Sequence, residues 1–252
     1  MKYLYRVYQL LVALPLGILA TLLTVLSVGI GCTFGNGHFW GYYPGRVWAR
    51  TLLWLLLIPV KVEGRVHLEK GQSYVFVANH QGAFDIFLVY GYLGRNFKWM
   101  MKQQLRKLPF IGYACEKSHQ IFVDKRGPSK VRATYEKARE TLQGGTSVML
   151  FPEGARTFTG HMGFFRKGGF ALADELQLPV VPLTINGSFN IMPRMRDGHF
   201  VNWHPLRLTI HQPIYPVGQG PENVTATLNQ AYDSVMSSLV PEYQGYVENP
   251  DQ

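Results

Sequence analysis

The 252-residue chain is 47% hydrophobic and 16% charged, with 25 Lys and Arg against 16 Asp and Glu, a formal charge of +9. That length holds one full-sized core and an appendage rather than two soluble domains. The basic residues form no run of five or more and accompany no recognisable nucleic-acid module, which sets nucleic acid aside as a partner; two distant cysteines, Cys32 and Cys115, give no disulfide framework.

The charge is unevenly placed. Residues 1–62 contain Lys2, Arg6, Arg46, Arg50 and Lys61 and no acid, so they carry +5 and the remaining residues +4 (9 − 5). Residues 7–31 are free of formal charge and long enough to cross a bilayer core of about 30 Å. An aromatic cluster follows, His38, Phe39, Trp40, Tyr42 and Tyr43, of the kind that suits a membrane interface. The apolar run is too long for a cleaved signal peptide, and Gly29 stands where a lipoprotein signal usually has Leu. A second apolar patch at 51–60 (TLLWLLLIPV) is too short to span alone. Basic residues flank both sides, which a re-entrant hairpin reconciles with the preference of Lys and Arg for the cytoplasmic face. The pattern thus favours a two-helix membrane anchor over 1–62 that re-enters one leaflet, with a true single span as the alternative, followed by a domain at 63–252 held against the cytoplasmic face of the membrane.

Beyond Lys61 the apolar runs shorten and alternate with helical patterns, which predicts an α/β domain: a mixed central sheet flanked by helices. Strands are expected at 73–78 (SYVFVA), 120–123, 147–151 (SVMLF), 180–185 and 206–211. Helices are expected at 85–91, 130–143, 169–176 and 226–239, with stops at Gly144, Gly145 and Pro179.

The segment 78–85 reads ANHQGAFD, an apolar strand running into Asn79 and His80 with a helix starting near Phe84. His80 and Asp85 are five residues apart, about 140° around a helix, so they cannot share one helical face and a turn through Gly82 must bring them together. Asp85, in the first helical turn, would be stabilised by the helix dipole; it could hold one imidazole nitrogen and leave the other as a base. With 8 histidines in the chain the spacing alone carries little weight. No metal-ligand spacing ties His38, His67, His119, His161, His199, His204 and His211 together, so no metal is expected.

Context comes from three further segments: FPEGAR at 151–156, FRKGGFALA at 165–173 and LPVVPLTI at 178–185. In this order, with ANHQGAFD, they resemble the glycerolipid acyltransferase family, and within it the bacterial 1-acyl-glycerol-3-phosphate acyltransferases. The resemblance covers about residues 65–215. It implies transfer of an acyl chain from a thioester, of acyl carrier protein or coenzyme A, to the sn-2 hydroxyl of lysophosphatidate, giving phosphatidate with no bound cofactor. His80 would be the general base and Asp85 its orienting acid; Glu153, Gly154, Arg156, Lys125 and Arg126 would hold the glycerol phosphate, with Lys102 a weaker candidate. The segment HQIFVDK departs from the family pattern, with His119 in the Gly position and Lys125 in the Arg position, which keeps the charge but not the bidentate fork. Direct transfer is the expected route, since no GxSxG elbow is present. An oxyanion hole is needed as well; backbone amides near Gly82 or Gly154 could supply it, and the sequence does not assign the donors. The competing readings are acylation of another lysolipid, a hydrolase in which His80 activates water, and a noncatalytic lipid-binding protein.

Overall fold

A computed structural model describes residues 2–107, 111–124, 126–142, 144–194 and 200–247. The chain opens with a long helix, α1 (Lys2–Phe34), the single helix among the described residues that is long and apolar enough to cross a membrane. Leu10, Leu11, Leu14, Ile18, Leu22, Leu26 and Ile30 are all exposed along it. A short turn at Gly37–Trp40 leads into α2 (Tyr43–Leu55), which runs back along α1: Trp48 Nε1 donates to Thr21 Oγ1 at 2.9 Å, and Tyr8 Oη donates to the Leu55 carbonyl at 2.8 Å.

The two expected membrane helices are therefore one long apolar helix and one shorter amphipathic helix. Gly45, Ala49, Leu53 and Leu55 are buried in α2, while Val47 and Trp54 are exposed. Its buried face packs on α3 (Phe84–Tyr92), and Arg50 Nε donates to the Gly91 carbonyl at 2.7 Å. The basic flank thus points partly into the protein. The expected boundary at residue 62 falls within a strand, β1 (Val60–Glu63), which pairs with β7 (Leu206–Ile210), so the N-terminal segment is continuous with the sheet.

The close contact of α2 with α3 depends on a missing side chain. A Cβ on Gly45 would stand 2.0 Å from Tyr90 Cε1. Tyr90 is hemmed in by Tyr42, Phe97 and Trp99. Gly45→Ala is accordingly expected to destabilise the protein by about 1–3 kcal/mol through overpacking, readable as a lowered Tm in detergent solution.

Among the described residues the remaining strands are β2 (Val75–Ala78), β3 (Phe97–Lys102), β4 (Ile121–Val123), β5 (Ser147–Leu150) and β6 (Val180–Asn186), and these seven are ordered β1-β7-β6-β2-β5-β3-β4. β6, β2, β5, β3 and β4 run parallel, whereas β7 and β1 run the other way. The mixed sheet arises where β6 turns back into β7. β2, β5 and β6 are buried throughout, as central strands covered on both faces must be. Along β2 the side chains alternate between two cores: Phe76 and Ala78 join α2 and α3, whereas Val75 and Val77 join α6 (Gly168–Leu176) and α7 (Pro221–Ser237). Two further helices, α4 (Ile111–Lys117) and α5 (Pro128–Thr141), complete the layers.

β1, β3 and α4 were not expected from the sequence. Lys61 interrupts the apolar run of β1, and Lys98 and Lys102 flank that of β3; Lys98 is buried, with its Nζ donating to the Ser118 carbonyl at 2.9 Å. Burial pushes its ammonium down to about 8.

Candidate active site

Because β2 and β5 are adjacent and parallel, the residues that follow them emerge at the same edge of the sheet. Asn79 and His80 leave β2 there, and Phe151, Pro152 and Glu153 leave β5. Asn79 extends the ladder to β6 with its amide: Nδ2 donates to the Ile185 carbonyl at 2.9 Å and Oδ1 accepts from the Ile185 N–H at 2.8 Å. This fixes the backbone one residue before His80.

His80 Nδ1 lies 2.7 Å from Asp85 Oδ2. The carboxylate also accepts from the Gly82 N–H at 2.9 Å, so the turn is closed on the same oxygen that orients the ring. With Asp85 as acceptor, Nδ1 carries the proton and Nε2 presents its lone pair. The imidazole is stacked 3.9 Å from the Phe151 ring at 7°, and Phe151 stacks in turn on Trp99. Asp85 is fully buried, and the His80 side chain is 15% exposed, so one edge of the ring faces outward from an apolar seat. This is an oriented base with an open nitrogen.

Gly82 serves this turn by its size. Its φ is not positive; a Cβ there would stand 2.6 Å from Ser188 Oγ and 2.8 Å from the Ser188 carbonyl. The need is therefore close approach of the chain after β6, where flexibility was expected. The N–H groups of Gly82 and Gly154 are both taken, by Asp85 Oδ2 and by the Phe151 carbonyl at 3.0 Å, which removes both as ready oxyanion donors.

Glu153 lies directly behind His80. Its Oε1 accepts from the His80 N–H at 2.6 Å and its Oε2 from the Gly163 N–H at 2.8 Å, and the residue is 3% exposed. Burial pushes its carboxyl up to about 8, against the pull of those two N–H groups. The Thr157 N–H returns to the His80 carbonyl at 2.9 Å, so the two peptide groups of the base are held by Glu153 within FPEGAR and by the residue that follows it.

Gly154 has φ +80°, which favours glycine, and a Cβ would stand 3.2 Å from Arg166 Nε. Arg156 is half-buried, and neither it nor Arg166 pairs with a carboxylate among the described residues. Arg194 Nη1 donates to the Arg156 carbonyl at 3.0 Å. Among the described residues the cations of this turn thus meet no carboxylate, a setting for an anion. Arg166 lies within FRKGG, and nothing in that segment of sequence distinguishes it from a solvated arginine.

Lys125 lies outside the described residues. Arg126 is exposed, and its fork is spent on Asp124, with Nε 2.9 Å from Oδ1 and Nη2 2.6 Å from Oδ2. These hydrogen bonds hold the Asp124 carboxyl down to about 2. β4 is three strands from β2, about 14 Å across the sheet at ordinary strand spacing. Lys102 is exposed at the end of β3, on the edge that carries His80. Among the described residues no group of His, Cys, Asp and Glu is arranged to hold a metal.

Residues 59–186 match the acyltransferase family. The chain is 31% identical to a chloroplast 1-acyl-sn-glycerol-3-phosphate acyltransferase of Arabidopsis thaliana, over 79% of this chain and 56% of that one. It is 35% identical to a chloroplast protein of the same description from Brassica napus, over 69% and 50%, and 28% identical to one from Pseudomonas aeruginosa, over 77% and 76%. It spans about half the length of the plant relatives. A crystal structure of the 1-acyl-sn-glycerophosphate acyltransferase of Thermotoga maritima has the same fold, with a TM-score of 0.72, 24% identity and coverage of 92% of this chain and 94% of that one. Since the matched residues run from the start of β1 to the end of β6 and enclose the turns that carry His80 and Glu153, the chain belongs to the acyltransferase family.

Proposed function

We propose that this protein transfers a fatty acyl chain from a thioester of acyl carrier protein or coenzyme A to the sn-2 hydroxyl of lysophosphatidate, making phosphatidate. The observation that carries the reading is the 2.7 Å pairing of His80 Nδ1 with buried Asp85, which leaves Nε2 as a base at the open edge of the sheet. In the reaction Nε2 takes the hydroxyl proton as the oxygen attacks the thioester carbonyl. The C–S bond then breaks, and the imidazolium returns the proton to the departing thiolate. Asp85 stabilises the transient imidazolium, and Glu153 holds the His80 backbone from behind.

The acceptor phosphate is assigned to Arg156, supported by its half-buried position without a carboxylate partner among the described residues. Lys125 and Arg126 stay candidates for a second contact, Arg126 at the expense of its bond to Asp124. The exposed apolar length of α1 supports association with a membrane, and the basic flanks Lys2, Arg6, Arg46 and Arg50 favour its cytoplasmic side for the catalytic domain.

Mass spectrometry of products from the purified protein given lysophosphatidate and either thioester tests the reading, with phosphatidate as the expected product. Free fatty acid released without acceptor would establish a hydrolase instead, and acylation only of lysolipids lacking a phosphomonoester would overturn the acceptor. Arg156→Ala is expected to lower kcat/KM for lysophosphatidate about 10- to 100-fold, the scale of one charged hydrogen-bonding group, with the donor KM unchanged.

A further inference from the structure

Gln9 is the one polar residue that α1 buries, at 6% exposed, in a helix whose other faces are largely apolar and open. It sits at the start of a wide turn, Gln9–Ala13, where the Leu14 N–H reaches back to the Gln9 carbonyl. Pro15 just beyond cannot donate to the helix and accounts for the wide turn. It does not account for the carboxamide. A buried amide is costly unless both of its ends are bonded. Here both are, to one peptide unit: Nε2 donates to the Val201 carbonyl at 2.9 Å and Oε1 accepts from the Val201 N–H at 3.0 Å.

Val201 lies on the returning limb of the chain between β6 and β7. The next residue, Asn202, gives its N–H to the Ile191 carbonyl at 3.0 Å and its Nδ2 to the Asn190 carbonyl at 3.1 Å, which ties that limb to the outgoing one. The outgoing limb presses on both halves of the site. Ser188 and the Met192 carbonyl fill the space beside Gly82, and Arg194 bonds the Arg156 carbonyl while its guanidinium lies 3.9 Å over the Phe158 ring. An unbroken series of contacts thus runs from α1 to the arginine turn. We infer that Gln9 is a positioning residue, which by clamping Val201 fixes the segment after β6 and with it the backbone that presents Arg156 to the acceptor.

This inference rests on the acyltransfer reading, and the test separates the two. In the full chain, Gln9→Leu removes both bonds and is expected to raise the KM for lysophosphatidate about tenfold while the donor KM and kcat stay close to those of the parent. Amide hydrogen exchange over residues 188–194 and 200–203 should quicken in the same variant. Gln9→Glu gives a second reading that does not depend on the fold of the Leu variant: a protonated carboxyl can both donate and accept whereas a carboxylate cannot donate, so its acceptor KM, relative to the parent at the same pH, should fall toward the parent value as pH is lowered and rise as pH is raised. An unchanged acceptor KM, or an equal change in both KM values and kcat, would overturn the inference. If the parent itself makes no phosphatidate, the functional reading fails alone, and the exchange rates decide the clamp: faster exchange supports it and unchanged exchange ends it.

Discussion

His80→Ala is expected to lower kcat about 10³- to 10⁴-fold, the scale of positioned general-base catalysis, with little change in either KM or in Tm. The ring contributes an open Nε2 and a stacking surface on Phe151, and neither carries the fold, since its backbone is held separately by Glu153 and Thr157. Asp85→Asn separates orientation from charge. The amide keeps the volume of a fully buried side chain, but its two faces can no longer both accept from His80 Nδ1–H and stabilise an imidazolium. If the amide nitrogen turns toward the ring, the tautomer is inverted and Nε2 carries the proton. The expected loss is about 10²- to 10⁴-fold in kcat. Rates from single turnovers with saturating acceptor would check both substitutions. Activity within tenfold of the parent in His80→Ala would end its assignment as the base.

The double variant should lose little more than His80→Ala alone. Asp85 acts through the ring, so without the ring there is nothing for it to orient. Additive losses would mean that Asp85 has a separate task.

What could be read in the sequence was what local pattern determines. The buried parallel strands β2, β5 and β6 stand out as short apolar runs, because both of their faces are covered. β1 and β3 do not, since Lys61, Lys98 and Lys102 break the run, and only the fold reveals that Lys98 has a carbonyl waiting for it. At the site, the turn between His80 and Asp85 follows from the angular argument, but the reason for Gly82 does not. It depends on Ser188, more than 100 residues away, closing on the turn. Glu153 was legible as part of a motif and not as a backbone clamp, because its partners, the N–H groups of His80 and Gly163, are ordinary peptide groups that carry no sequence signal. Arg156 in FPEGAR is the first choice for the phosphate in sequence because of its fork of donors, and Arg126, which follows HQIFVDK, offers the same fork. Among the described residues the fold separates them by the carboxylate of Asp124, which Arg126 finds and Arg156 does not.

Glu153 makes the second large prediction, and it couples activity to pH with a definite sign. Its ordinary carboxyl value is 4.5, and burial raises it to about 8 in the folded protein. Between those values the folded chain holds a proton that the unfolded chain has released. Stability from this group is therefore greatest on the acid side and declines as pH rises from about 4.5 to about 8, by an amount on the order of a few kcal/mol. Activity should move the other way. Both oxygens face N–H donors, at 2.6 and 2.8 Å, and the carboxylate accepts on both sides more strongly than the neutral carboxyl, whose hydroxyl oxygen is the weaker acceptor. Loss of the proton as pH rises through about 8 tightens the grip on the His80 backbone, and kcat should climb through that range. Glu153→Gln places an amide nitrogen against one of the two donors at every pH; kcat is expected to fall about 10- to 100-fold, the cost of one buried unsatisfied pair acting on the base, and the inflection near pH 8 should vanish. Thermal melts and pH–rate profiles of the two proteins from pH 6 to 9 read both slopes. A profile unchanged by the substitution would leave Glu153 as a buried carboxyl with no hold on the base.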